Sequence, residues 1–354
     1  MAKLRKQHMT IHWHDIIQAD SNVPAVDATL KEKATLVGRL GLMMLSVGTG
    51  AWRVRNSMNK VSRSLGISCS ADIGLVSIEC TCIGDNETYT QSLSLPTTGV
   101  NTDKLMELEM FMRDFPDLAG EYSVNQFHEV LDHIQKKPAN YKAWNLGLAS
   151  AIACCAFTFL LGGGPVEMIC AFLAQAPEFD SGAMMLNRKI SLLGNVAVSV
   201  ATSCIVYVLT ILAAQKILDI SAVHQAGYIC AMLFVIPGFP LITGGIDLAK
   251  LDMRSGLERI AYALLIITAA TLTGWATAMV FHFQPADFPD LQLPTVTRML
   301  LRIAASFFGV YGFSLMFNSP RKWRMTAGRL IGMLTNTLRL ELIDLAGMPV
   351  GIAA

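Results

Sequence analysis

Two patterns of apolar residues divide this chain. In the later part they form blocks at about 144–163, 190–214, 222–243, 257–283 and 297–317. Each block is near the ~20 residues that a helix needs to cross ~30 Å of hydrocarbon. Between the first two lies "GGGPVEMICAFLAQAPEF", whose apolar part is short for a span. It is expected to cross as a short, tilted or shielded helix. Only then do Arg188 and Lys189, the group Lys250, Arg254 and Arg259, and "RKWR" at 321–324 share the side of "KKPANYK". The Lys- and Arg-free loop "HFQPADFPDLQLPTVT" then lies opposite, outside. Beyond Arg324, the charges Arg329, Arg339, Glu341 and Asp344 are too many for a lipid-facing helix. A further long helix is predicted over 325–340, and the chain stops at Ala354 as another apolar segment begins.

The earlier part is periodic. "LKEKATLVGRLGLMMLSVG" has helical spacing, and "GAWRVRNSMNKVSRSLG" places Trp52, Val54, Met58, Val61 and Leu65 before Gly66, so two helices are predicted. The uncharged run 40–52 is too short to span at ~1.5 Å per residue and reads as a core helix. "ISCSADIGLVSIECTCIG", the turn "DNE" and "TYTQSLSLP" predict a hairpin. Helices resume at "NTDKLMELEMFMRDF", capped by Asn101 or Thr102, and at "SVNQFHEVLDHIQKK", capped by Ser123 and stopped by Pro138.

Composition supports the division. Hydrophobic residues make up 53% of the chain and charged residues 16%, with mean hydropathy +0.44. Residues 1–143 carry 15 of 28 Lys+Arg and 16 of 27 Asp+Glu, which marks them as the soluble part. The fold class is an α-helical polytopic membrane protein with a small α+β soluble N-terminal domain. Its expected parts are a cytoplasmic domain at 1–143, a first group of about five membrane helices at 144–285, the second short, and an incomplete second group at 286–354. The N-terminus has a basic start without an apolar signal segment, so the first domain is expected in the cytoplasm.

Candidate chemistry centres on "PGFPLITGGIDLAKLDMRSGLER". A membrane helix ending at Pro237 and Gly238 loses hydrogen bonds, and Gly238, Gly244 and Gly245 let the backbone turn. Transporters bind substrates at such broken helices. Asp247 would then accept a proton or an amino group at the cytoplasmic mouth, with Asp252 and Arg259 nearby. The alternative is structural: Asp247 caps a short helix, and Asp252 pairs with Arg254 or Arg259. Glu167 is either a proton carrier or, after Pro165, an ordinary first-turn carboxylate. Asn187 and Asn195 are substrate ligands or interhelical links, and His224 is a lone interfacial histidine.

Other chemistries are weak. Net charge +1 without a basic stripe argues against nucleic acid as a partner. "HWHD" lacks further ligands, Cys80 and Cys82 fit no common zinc spacing, and the cysteines of the apolar helices read as core, so no metal is expected. "LLGGGP" lacks the lysine of a phosphate loop, and no cofactor is expected. A membrane-anchored enzyme would have to use Arg53, Asp72, Glu79 or His128, among which no nucleophile, base and orienter stand out.

In order, "GAWRVRNSMNKVSRSLG" with Gly50, Arg53 and Met58, "VNTDKLMEL" with Asn101, and "PGFPLITGGIDLAKLDMRSGLERI" resemble the signatures of the bacterial threonine/serine exporter family. "GFSLMFNSPRKWRMTAGRLIGML" resembles the start of its second membrane half. The resemblance implies a multi-pass protein of the bacterial plasma membrane that exports threonine and serine, or in two-chain members a dicarboxylate, driven by the proton motive force. Its implied partners are the lipid bilayer, a small-molecule substrate, and a further copy or a second membrane subunit. A non-transporting regulatory partner is the remaining alternative. Arg55 departs from the family pattern, which usually has an acidic residue there.

Overall fold

The computed structural model describes residues 11–16, 23–84, 86–175, 191–218, 227–283, 288, 291–321 and 324–349. Arg188, Lys189, Asn187, His224, Lys322, Trp323 and Ala354 lie outside the described residues. The chain forms two compact units: Met1–Pro138 with Gly238–Tyr262, and Ala139–Pro237 with Ala263–Ala354.

In the first unit, α1 (Leu30–Ser46) starts on a capping box in which Thr29 and Glu32 satisfy each other's main-chain N–H. α2 (Ala51–Ser64) follows after one short loop. The stretch expected to pair as one strand of a hairpin is two strands, so the sheet has three: β1 (Ser68–Ile73), β2 (Ser77–Gly84) and β3 (Glu87–Ser94), antiparallel in that order. Alternation persists across the bend, where Gly74 N–H donates to Ser77 O at 2.8 Å, so periodicity alone could not reveal it. α3 (Thr102–Leu118) is capped by Asn101 and runs through Pro116, three residues past the expected end. α4 (Val124–Lys136) carries the Ser123–Gln126 capping box. Leu36, Leu40, Met44, Met58, Ile78, Phe115 and Phe127 form the core between the sheet and these helices.

The same unit contains α9 (Gly238–Ala249) and the start of α10 (Met253–Val280). Gly244 and Gly245 were expected to form a turn, but they lie inside α9. A Cβ on Gly244 would lie 3.1 Å from the Arg259 and Ile260 side chains, so this glycine serves close helix packing.

Among the described residues of the second unit and α10, four helices are long and apolar enough to cross a membrane: α5 (Ala143–Leu160), α7 (Leu192–Leu218), α10 and α11 (Thr295–Met316). α6 (Pro165–Gln175) has 11 residues, and a rise of ~16 Å covers about half the hydrocarbon thickness. The apolar block at 222–243 is not one helix among the described residues. α8 (Tyr228–Ala231) and a 3-10 turn at Leu233–Val235 precede an extended Ile236. Proline disfavours helical backbone in the residue before it, so Pro237 separates this segment from α9. α12 (Arg324–Ala346) runs past the expected end at 340 and pairs its charges with α11. Arg302 donates to Glu341 at 2.9 Å and to Asp344 at 2.7 Å, and Asn336 donates to Ser306 at 2.8 Å. α5 and α11 approach closely: a Cβ on Gly312 would lie 2.6 Å from Ala149 O.

Candidate functional site

α2 begins on Gly50, which has no side chain to cap the helix. The first-turn N–H groups of a helix need an acceptor, and here it comes from α9. The Asp247 carboxylate is fully buried, and its Oδ2 accepts from Ala51 N–H at 3.2 Å and from Ser255 Oγ at 2.9 Å. Arg259, one helical turn after Ser255 on α10, lies with Nε 3.3 Å from the same oxygen. Its Nη2 donates to Thr49 O at 2.8 Å and its Nη1 to Thr243 Oγ1 at 3.3 Å. Asp247 Oδ1 is buried without a hydrogen-bond partner among the described residues. A Cβ on Gly50 would lie 2.9 Å from it, so the glycine makes room for the carboxylate.

The electrostatics are coherent. The positive end of α2 and the Arg259 guanidinium both face the Asp247 carboxylate. Both members of the pair are withdrawn from water, with side-chain exposures of 3% and 0%, so loss of either leaves an uncompensated buried charge.

Asp252 corrects a second expectation: it pairs with Arg55, not with Arg254 or Arg259. Arg254 instead pairs with Asp72 and Glu258. Arg55 also donates through Nε to Ala71 O at 3.2 Å. Arg55, Asp72, Asp252, Arg254 and Ser255 line a polar cavity of about 260 Å³. Ser255 thus borders this cavity and bonds Asp247. Asp252 Oδ2 is buried without a partner among the described residues.

The other candidates have local roles or lie in the second unit. Asn101 caps α3, Met58 is core, and Arg53 pairs with Glu109. Pro237 and Gly238 mark the entry to α9. Glu167 is buried on α6, where its Oε2 accepts from Gly164 N–H at 2.9 Å, the geometry of a first-turn carboxylate. Asn195 is on α7, with its Oδ1 buried and unpartnered among the described residues. The residues considered for an enzyme are dispersed: Asp72 and Glu79 face Arg254, and His128 takes a hydrogen bond from Arg39. Among the described residues no group of three or more His, Cys, Asp or Glu is placed to hold a metal. Thr49, Thr243 and Ser255 were missed. The i, i+4 spacing of Ser255 and Arg259 was a signal for one of them, and none existed for the others.

The sequence profile of ThrE, described as "Putative threonine/serine exporter", matches residues 35–282. The chain belongs to this family. All of the Asp247 set lies inside the matched span, as do Glu167 and Asn195, whereas α11 and α12 lie beyond it.

Relatives point the same way. The chain is 26% identical over 240 residues to "Probable succinate transporter subunit YjjP" of Klebsiella aerogenes, covering 67% of this chain and 89% of that protein. It is 23% identical over 241 residues to the Escherichia coli K12 protein of the same name, covering 68% and 90%. It is also 25% identical over 165 residues to "Probable threonine/serine exporter" of Mycobacterium tuberculosis, covering 46% and 31%. No solved structure matches the chain significantly. Membership of an exporter family makes this a membrane transport protein.

Proposed function

We propose that the chain is a proton-coupled secondary exporter of small carboxylate-bearing metabolites, or one subunit of such an exporter. It would work in the bacterial plasma membrane with its N-terminal domain, residues 1–143, in the cytoplasm. The observation that carries this reading is the buried Asp247–Arg259 pair with a free carboxylate oxygen, just after the break at Pro237. Protonation of Asp247 cancels the charge that faces Arg259. The guanidinium and the Ala51 N–H then become available to a substrate carboxylate, a group that threonine, serine and succinate share. Ionised Asp247 and a substrate carboxylate thus compete for Arg259. Asp252 and Arg55 would stand at the neighbouring polar cavity.

A two-chain dicarboxylate exporter is the second reading. It is favoured by the two relatives named as succinate transporter subunits, each covered over 89% or more of its length. One experiment tests both: efflux of labelled threonine, serine and succinate from vesicles containing this chain alone, with and without a proton gradient. Gradient-dependent efflux of any of them supports a self-sufficient exporter. No efflux from well-inserted protein refutes self-sufficiency, and restoration by a second membrane subunit establishes the two-chain form.

A further inference from the structure

The first unit holds a second cavity, of about 110 Å³, that none of the Asp247 set lines. Its walls include Trp13, Leu42 and Leu108, and its charged lining residues are two cations, Arg39 and Lys104. Among the described residues no carboxylate lines it.

Arg39 is 1% exposed and is largely committed to α4. Its Nη1 donates to His128 Nδ1 and O, both at 3.0 Å, and its Nη2 to Asp132 and, at 3.1 Å, to Gln135 Oε1. Its Nε is buried without a partner among the described residues. Lys104 Nζ donates to Gln135 O at 2.6 Å, so Gln135 holds both cations, one through its side chain and one through its main chain. An ammonium has three N–H bonds, and this contact uses one. The Trp13 ring lies over the Arg39 guanidinium, 5.6 Å from centroid to carbon, and closes one side.

We propose that this cavity is a binding site for a small monocarboxylate with a short apolar tail. The carboxylate lies between Arg39 Nε and Lys104 Nζ, and the tail lies against Leu42 and Leu108. The volume is several times that of one water site and admits a few heavy atoms. A second carboxylate would be buried against apolar walls, and the ammonium of an amino acid would face two cations. The ligand therefore differs from threonine, serine and succinate, and the site stands independently of the transport reading.

The test uses the full-length protein in detergent with 5-fluorotryptophan, the Trp13 line being identified by Trp13→Phe. Sodium propionate at constant ionic strength is expected to shift that line saturably, and propylamine is not. Lys104→Met should weaken binding tenfold or more, as loss of a charged hydrogen-bond donor does. Leu42→Phe, which fills the cavity, should abolish the shift while leaving the other tryptophan lines in place. Absence of a saturable shift in the folded protein overturns the proposal. So does unchanged affinity in Lys104→Met, or an equal response to phosphate or glycine.

Discussion

Asp247 caps a helix at Ala51, 196 positions earlier in the chain. The bond links the exporter motif at 237–260 to the one at 50–66, and Arg259 strengthens the link through Thr49 O. Two signatures that look independent along the chain are therefore halves of one buried polar cluster.

Asp247→Ala leaves Arg259 buried without its counter-ion and should destabilise the first unit by about 3 kcal/mol. Asp247→Asn keeps the shape and an acceptor for Ala51 but cannot carry the proton. That variant is expected to insert normally and lose efflux, and wild-type efflux from it would remove Asp247 from the mechanism.

Gly50→Ala drives a methyl group against Asp247 Oδ1 and should cost about 1–3 kcal/mol. In a double-mutant cycle with Asp247→Ala the glycine penalty should shrink, because the atom it meets is gone. Additive melting shifts would show that the two groups do not touch.

His128 supplies a pH signature. Burial, then the adjacent Arg39 and His14 charges, push it down to about 3, with Asp132 opposing. The unfolded chain thus binds a proton that the folded chain refuses between about pH 6.5 and 3. This contribution to stability is fully present above pH 6.5 and is lost as pH falls through that window, by at most about 1.4 kcal/mol per unit. Asp132, held down to about 2 by Lys136 and Arg39, titrates below most of that window. Melting temperatures between pH 6.5 and 4.5 should fall less steeply for His128→Gln than for wild type, and equal slopes would contradict the assignment.

Gly312→Ala should separate α5 from α11 and lower thermal stability in detergent, since its Cβ would strike Ala149 O. Gly328→Ala on α12, where a Cβ meets no described residue within 4 Å, is the matched control and should be neutral or stabilising by about 1 kcal/mol.

Phe288→Cys tests the topology that the lysine and arginine distribution implies. An impermeant maleimide should label it from outside the cell, and labelling confined to the cytoplasmic side would invert the orientation.

The caps at Asn101 and Ser123, the helices they start and the apolar helices α5, α7, α10 and α11 were legible residue by residue. A cap acts within one turn, and hydrocarbon thickness sets how long an apolar run must be. Asp247 and Arg259 were also recognisable, as charges where an apolar segment breaks. Their roles were not, because a carboxylate's partners are set by proximity in space, and hydropathy weighs each residue without its neighbours. Only the folded chain joined Gly238–Tyr262 to the first unit, paired Arg55 with Asp252, and put an uncapped glycine beside a buried carboxylate. Such pairings depend on close approach of segments nearly two hundred residues apart, and no local periodicity records it.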